Sequence, residues 1–211
     1  MILDKPFTVC IAALLWCSLH ACKRRHNTFI DKPRGKFTVA LLPYDHFSPA
    51  HIAYIKKETE AFYHCNVVVL ASSGLPGNAY YVARKRYKAD SLLSFEHRFL
   101  TGDFDAVAGL TARDISTSKD TIPDWGVFGL GECPGKVCVI STCRLEKVSN
   151  SITQLRERLI KVVLHELGHN LGLPHCTADP VCLMNDAGGS IGQVDREKKW
   201  LCGNCRLRLG R

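Results

Sequence analysis

The stretch His165-Glu166-Leu167-Gly168-His169-Asn170-Leu171-Gly172-Leu173-Pro174-His175 decides how the rest of this 211-residue chain reads. Ahead of it, Ile152, Leu155, Leu159, Val162 and Val163 recur at helical spacing, with Arg156, Glu157, Arg158 and Lys161 on the other side. Ser149, Asn150 and Ser151 offer oxygens that can cap the start of that helix. Residues four apart share a helix face, so His165 and His169 project together. Two neutral imidazole nitrogens about 2.0–2.1 Å from one ion make a zinc arrangement. Glu166 stands beside them as the usual general base of such a pair. Gly172 ends the helix, because glycine takes the left-handed conformation that a sharp turn needs. Beyond that turn His175 can return as a third ligand. Three protein ligands leave a fourth position for water, which marks a catalytic site rather than a structural one.

Four cysteines follow as two close pairs. Cys176 adjoins His175, Cys182 precedes Leu183-Met184, and after seventeen intervening residues comes Cys202-Gly203-Asn204-Cys205. Thiolates so spaced can close a tetrahedron around a second zinc ion. The H-E-x-x-H-x-x-G-x-x-H pattern resembles the metzincin signature. Together with the cysteines and Met184, it resembles the archaemetzincins, zinc metallopeptidases of that clan, over His165 to Cys205. Lys136 to Leu145 is similar to the family's strand before the active-site helix. Two departures are visible. Five residues, Thr177 to Val181, separate the first two cysteines where the family usually has four. Asn185 and Asp186 follow Met184, where some other metzincins carry a tyrosine.

The resemblance implies an α/β, zincin-like metzincin fold. Its parts are a mixed sheet with an antiparallel edge strand, an active-site helix and a C-terminal zinc-binding subdomain. It implies a catalytic zinc on His165, His169 and His175, with Met184 in the turn beneath it. It also implies a structural zinc on Cys176, Cys182, Cys202 and Cys205, hence two Zn2+ per chain. The expected substrate is a peptide or protein lying along the edge strand, hydrolysed with Glu166 as general base. The alternative is a non-catalytic zinc-binding protein on the same scaffold. An intact Glu166 argues against it, since a purely structural site needs no base.

A hydrophobic share of 46% against 23% charged residues fits a globular domain with a sizeable core rather than a disordered chain. The net charge of +8 is partly local: Lys23, Arg24, Arg25, Lys32, Arg34 and Lys36 face only Asp31. That run, within residues 22–36, reads as a basic linker. No nucleic-acid motif accompanies it, so no nucleic-acid partner is expected, and the chain is read as a monomer. Phe7 to Leu19 is an apolar run better suited to a signal peptide at residues 1–21 than to a span of about 20 residues. Leu19-His20-Ala21-Cys22 resembles a bacterial lipobox, which makes Cys22 a lipidation site and the protein an exported, membrane-anchored lipoprotein. A cytoplasmic protein is the alternative. Residues 37–211 are then the metallopeptidase domain.

Eleven cysteines is many. Beyond Cys10, Cys17, Cys22 and the four above, Cys65, Cys133, Cys138 and Cys143 remain. Cys133 and Cys138 flank Pro134-Gly135, so they read as a hairpin disulfide or as small buried side chains. Strands are expected at Phe37–Leu42, Val67–Leu70, Asp105–Leu110, Val127–Leu130 and Val137–Ser141, with the fourth an antiparallel edge. Ser48-Pro49 opens a helix with Ile52, Ile55, Thr59 and Phe62 on one face. Asp90 is expected to cap a helix over Ser91–Leu100, Thr111–Asp124 to be loop, and Gln193–Leu201 to be a short helix. His46, His64 and His97 read as ordinary histidines. Asp179 and Asp186 read as solvated loop residues near the metal, and Arg144 lies just before the active-site helix.

Overall fold

A computed structural model describes residues 37–210. The expected leader, Cys22 and the basic linker lie outside the described residues. The first strand, β1 (Thr38–Pro43), is apolar from Val39 onward and buried there on both faces. Helix α1 (Pro49–Tyr63) starts as anticipated, with Ser48 Oγ accepting from the His51 N–H and Pro49 in the first turn. Its inward stripe is His51, Ile55, Thr59 and Tyr63, a rotation from the expected face that leaves Ile52 and Phe62 at the margin of the core. His64 closes it in the left-handed conformation. Strand β2 (Asn66–Val69) returns parallel to β1.

The next stretch holds β3 (Tyr80–Tyr81), β4 (Arg86–Lys88) and α2 (Ala89–Glu96), followed by a 3-10 turn at His97–Phe99. Asp90 does not cap α2. Lys88 occupies that position without a side-chain bond, and Asp90, in the first turn, accepts from Thr117 Oγ1 at 2.8 Å. Strand β5 (Ala106–Thr111) lies parallel to β1 on the side away from β2.

The expected loop at Thr111–Asp124 is instead a hairpin. Strands β6 (Ile115–Lys119) and β7 (Ile122–Val127) pair antiparallel, with Thr117 opposite Trp125. The segment is polar because much of it faces solvent, yet Ile115, Thr117, Ile122 and Trp125 are strand formers. Pro123 is tolerated because β7 is an edge strand. These strands complete a four-stranded sheet of order β3-β4-β6-β7.

Strands β8 (Gly129–Gly131) and β9 (Val137–Ser141) pair antiparallel, so the expected edge strand is present, shifted by two residues at its start because Val127 belongs to β7. The main sheet has the order β2-β1-β5-β9-β8, parallel except for β8. Alternate residues of its central strands feed two cores. Val39, Leu41, Ala108 and Ile140 face α1 and α4 (Ile152–Asn170), while Ala40, Leu42, Val107 and Val139 face α2. Helix α3 (Cys143–Val148) precedes α4. After the site come α5 (Ile191–Arg196) and α6 (Gly203–Arg208). The helix expected at Gln193–Leu201 therefore stops early, where Glu197 turns extended, and α6 adds one that its sequence pattern did not announce. Among the described residues no helix is long and apolar enough to cross a membrane.

Candidate active site

Helix α4 is tied down along its length. Ser151 caps it by accepting from the Gln154 N–H at 3.1 Å. The buried Arg158 guanidinium holds Asp195 of α5 through two bonds of 2.7 Å and donates to the Val148 carbonyl at 2.8 Å. Tyr63 Oη donates to the Leu164 carbonyl at 2.6 Å. At the far end, Asn170 Nδ2 donates to the carbonyls of Val137 at 2.8 Å and Glu132 at 3.1 Å, which pins the helix terminus to the β8–β9 turn. Gly172, at φ +85°, then reverses the chain.

That reversal gathers His165, His169 and His175, whose ligating atoms lie within 4.8 Å of one another. His165 Nδ1 bonds the Leu183 carbonyl at 2.8 Å and His169 Nδ1 the Leu173 carbonyl at 2.7 Å. A carbonyl only accepts, so the proton of each neutral ring sits on Nδ1 and the Nε2 lone pair is left to bind. Burial, helped by the His169 charge, pushes the pKa of His165 down to about 3, and burial also lowers that of His169. Both rings are thereby kept in the unprotonated form that ligation needs.

Glu166 is 8% exposed and sits against β8. Burial raises its carboxyl pKa to about 8, with the Gly131 N–H pulling the other way. The approach of strand to helix is too close for side chains on β8. A Cβ at Gly129 would stand 2.7 Å from Glu166 Cγ and 2.8 Å from Oε1, and one at Gly131 would stand 2.8 Å from the Glu166 carbonyl oxygen. The strand also keeps a free edge. The Phe128 carbonyl accepts from the Ser141 N–H, and the Glu132 N–H donates to Val137, so the alternation turns the backbone of Gly129 and Gly131 away from β9. Met184 is fully buried, its Sδ 2.5 Å from where a Cβ on Gly168 would be.

The four cysteines also converge. Cys176, Cys182, Cys202 and Cys205 are buried, with ligating atoms within 4.8 Å of one another. Cys176 Sγ lies 3.6 Å from Cys202 Sγ, and Cys182 Sγ lies 3.7 Å from Cys205 Sγ. A disulfide requires about 2.05 Å. A zinc tetrahedron with Zn–S near 2.3 Å spaces its sulfurs about 3.8 Å apart. The extra residue between Cys176 and Cys182 is absorbed in a loop, where Asp179 accepts from the Val181 N–H at 2.9 Å.

A cavity of about 510 Å³ runs past the three histidines. Its walls are β8, one flank of α4, the β6–β7 hairpin with Lys119 and Trp125, and the loop Asp186–Gly189. Asp186 lies 4.0 Å from Lys119 Nζ across it. Arg144 does not reach the cavity wall but holds Asp114 through bonds of 2.7 and 3.1 Å beside Gly126 of β7. His46, His64 and His97 lie apart from the cluster, His97 meeting Glu132 at 2.6 Å. Cys133, Cys138 and Cys143 are unpaired thiols, so the hairpin disulfide is not formed. The carbonyls of Leu173 and Leu183 were missed, since a backbone acceptor leaves no trace in residue type. The spacing Gly129-Leu130-Gly131 was a usable signal, because alternate residues of a strand share a face.

A mixed sheet with a free antiparallel edge, set against a helix that carries paired imidazoles and a carboxylate, belongs to the zincin-like metallopeptidases. Comparison with known proteins narrows this. The model of Peptidase family M54 matches residues 63–211. The archaemetzincin of Halobacterium salinarum is 34% identical over 166 residues, covering 75% of this chain and 91% of that one. The crystal structure of the Methanopyrus kandleri archaemetzincin is similar at TM-score 0.72 and 31% identity, covering 85% of this chain and 97% of that one. That of the Archaeoglobus fulgidus archaemetzincin, complexed with malonate, is similar at 0.69 and 26%, covering 82% and 99%. The chain belongs to family M54, the archaemetzincins, and is a zinc metallopeptidase.

Proposed function

We propose that this protein hydrolyses peptide bonds at one zinc ion held by His165, His169 and His175, with Glu166 as general base, and carries a second zinc on Cys176, Cys182, Cys202 and Cys205. The donor sets fit. Three imidazoles with two Nδ1 positions fixed by carbonyls suit a catalytic zinc, and four sulfurs at tetrahedral spacing suit a structural one. When bound, the catalytic ion supplies Lewis acidity, lowering the pKa of a water to about 7 and polarising the scissile carbonyl.

The observation that carries the reading is the seat of Glu166. Its carboxylate is buried beside the histidines and next to a free strand edge, at a pKa near the working range of a general base. An extended peptide adds to that edge through the outward groups of Gly129 and the outward carbonyl of Gly131, whose N–H is held by Glu166. Its scissile bond is then presented to the histidine cluster. Glu166 takes a proton from the attacking water and returns it to the leaving amine. A binding-only protein would gain nothing from a buried carboxylate there, at the desolvation cost it carries. Digestion of a peptide library by the zinc-loaded wild type, read by mass spectrometry beside Glu166→Gln, tests this. Cleavage that disappears in the variant is expected, and no cleavage by the loaded wild type would leave only the binding role.

The proposal extends to the N-terminus on sequence alone. Leu19-His20-Ala21-Cys22 supports cleavage before Cys22, its acylation and anchoring of an exported enzyme. Stable anchoring takes more than one acyl chain or a chain plus a basic run, and Lys23-Arg24-Arg25 supplies the latter. Mass spectrometry of the protein from a bacterial host should show an acylated Cys22 as the first residue; a soluble chain beginning at Met1 would refute it.

A further inference from the structure

We propose that Glu197 sets the side-chain preference of the cleft by receiving a lysine or arginine of the substrate residue next to the scissile bond. The inference deepens the peptidase reading and rests on it for the direction in which the substrate lies. Glu197 lines the same cavity as His165, yet the residue is 4% exposed and no part of the metal cluster. Among the described residues its carboxylate receives one long hydrogen bond, from Gln193 Nε2 at 3.4 Å. A buried carboxylate so poorly satisfied is costly unless a donor completes it.

The residues that share the cavity with it suit such a donor. Lys161 and Val162 stand four residues ahead of His165 and Glu166 on α4, about 6 Å along the helix axis. With Val194 from α5 they line the same cavity as the histidines and Glu197. A long side chain entering from the scissile residue passes the valines with its methylenes and brings its charged end to the carboxylate. Lys161 does not already fill this role. Its ammonium is engaged by the carbonyls of Val194 at 2.9 Å and Asp195 at 3.4 Å. Burial pushes the Glu197 carboxyl up to about 7 in spite of the Gln193 bond and the Lys161 charge, with Asp186 adding to the rise. The existing neighbours therefore leave the carboxylate under-compensated.

The test uses zinc-loaded enzyme and peptides that differ at a single residue beside the cleaved bond, carrying Lys, Arg, Leu or Glu. The wild type should favour Lys and Arg over Leu by about 10- to 100-fold in kcat/KM, the worth of a hydrogen bond to a charged group. Glu197→Gln should remove that preference, bringing the Lys/Leu and Arg/Leu ratios to about one, while Glu197→Asp should retain part of it. Zinc content and circular dichroism establish that each variant is folded. An unchanged Lys/Leu ratio in the Gln variant, or a wild type that prefers Leu or Glu, would overturn the assignment. A binding arm separates this failure from that of the peptidase reading. Zinc-loaded Glu166→Gln, titrated with the same peptides by fluorescence anisotropy, should bind Lys and Arg peptides more tightly than Leu, and adding Glu197→Gln should abolish the difference. If that holds while the wild type cuts nothing, the pocket stands and the hydrolytic reading falls. Equal binding of all four peptides would refute the pocket.

Discussion

Gly129→Ala is the most direct probe of how the edge strand serves the chemistry. The added Cβ would stand 2.7 Å from Glu166 Cγ, 2.8 Å from Oε1 and 3.0 Å from Cδ. Ordinary carbon contacts lie at about 3.5–4.0 Å, so carboxylate and methyl must part by roughly an ångström. Strand β8 is held by its ladder to β9, and the helix backbone is held by Asn170 and Tyr63, which leaves the Glu166 side chain to move. Displacing a catalytic group by about 1 Å can cost around 10²-fold. The ceiling is the full worth of a general base, about 10²–10⁴-fold. We expect kcat to fall about 10²-fold in Gly129→Ala at unchanged zinc content, because the three atoms nearest the new methyl group all belong to Glu166. The decisive assay is a double-mutant cycle on one cleaved peptide. In the Glu166→Gln background, Gly129→Ala should add almost nothing, since the group it displaces is already inert. A full, additive loss in that background would show that the methyl group blocks substrate docking. Near-wild-type turnover in the single variant would refute the packing argument itself.

Other expectations follow from separate parts of the structure. Replacing His169 by Ala should remove the catalytic zinc and activity together, while Glu166→Gln keeps the metal and loses about 10²–10⁴-fold in turnover; metal analysis at matched protein concentration distinguishes the two. Cys202→Ser/Cys205→Ser should retain one zinc of two and unfold at lower temperature, because structural zinc contributes to folding directly; two ions in the purified variant would contradict the four-thiolate site. Glu96, fully buried beneath Gly109 with one bond from Tyr44 Oη at 3.1 Å, has its carboxyl pKa raised well above the ordinary value by burial. Its contribution to stability is therefore fully present below the unfolded value of 4.5 and is lost as pH rises toward the folded value. Glu96→Gln should abolish that loss, so denaturant midpoints of variant and wild type should diverge as pH rises above 4.5, in favour of the variant; parallel midpoints would refute it.

How much of this was legible depended on whether a residue type or a backbone path carried the information. The histidines, Glu166, Gly172 and the four cysteines announced themselves through chemistry at fixed spacing, and a helix converts such spacing into geometry. The buried strands β1, β5 and β9 were legible as apolar runs. The β6–β7 hairpin was not, because solvent covers one of its faces and its turn, at Asp120 with φ +50°, lacks the usual glycine. With the hairpin went one wall of the cleft, including Trp125 and Lys119. The start of α2 was misread for a related reason. Asp90 has the residue type of a cap, but Ala89 and Asp90 already lie within the helix, and Thr117 of that unread hairpin takes the aspartate side chain. Glu197 could not have been singled out, since its burial depends on how α5 ends.

Leu183 has a consequence for how the two proposed metal sites would behave as a pair. Its carbonyl fixes His165 Nδ1, its N–H donates to the Trp200 carbonyl at 2.9 Å, and it stands between Cys182 and Met184. The Cys176 N–H likewise bonds the Met184 carbonyl at 2.7 Å, one residue from His175. Whatever orders Cys182 and Cys202 therefore orders an acceptor of the imidazole cluster, and whatever seats His165 steadies the thiol loop. Linkage of this kind is reciprocal: a factor by which one ion tightens the other's binding must appear equally in the opposite direction. Zinc affinities measured one site at a time would thus depend on the order of loading, and chelation of the weaker site would lower the hold of the protein on the stronger.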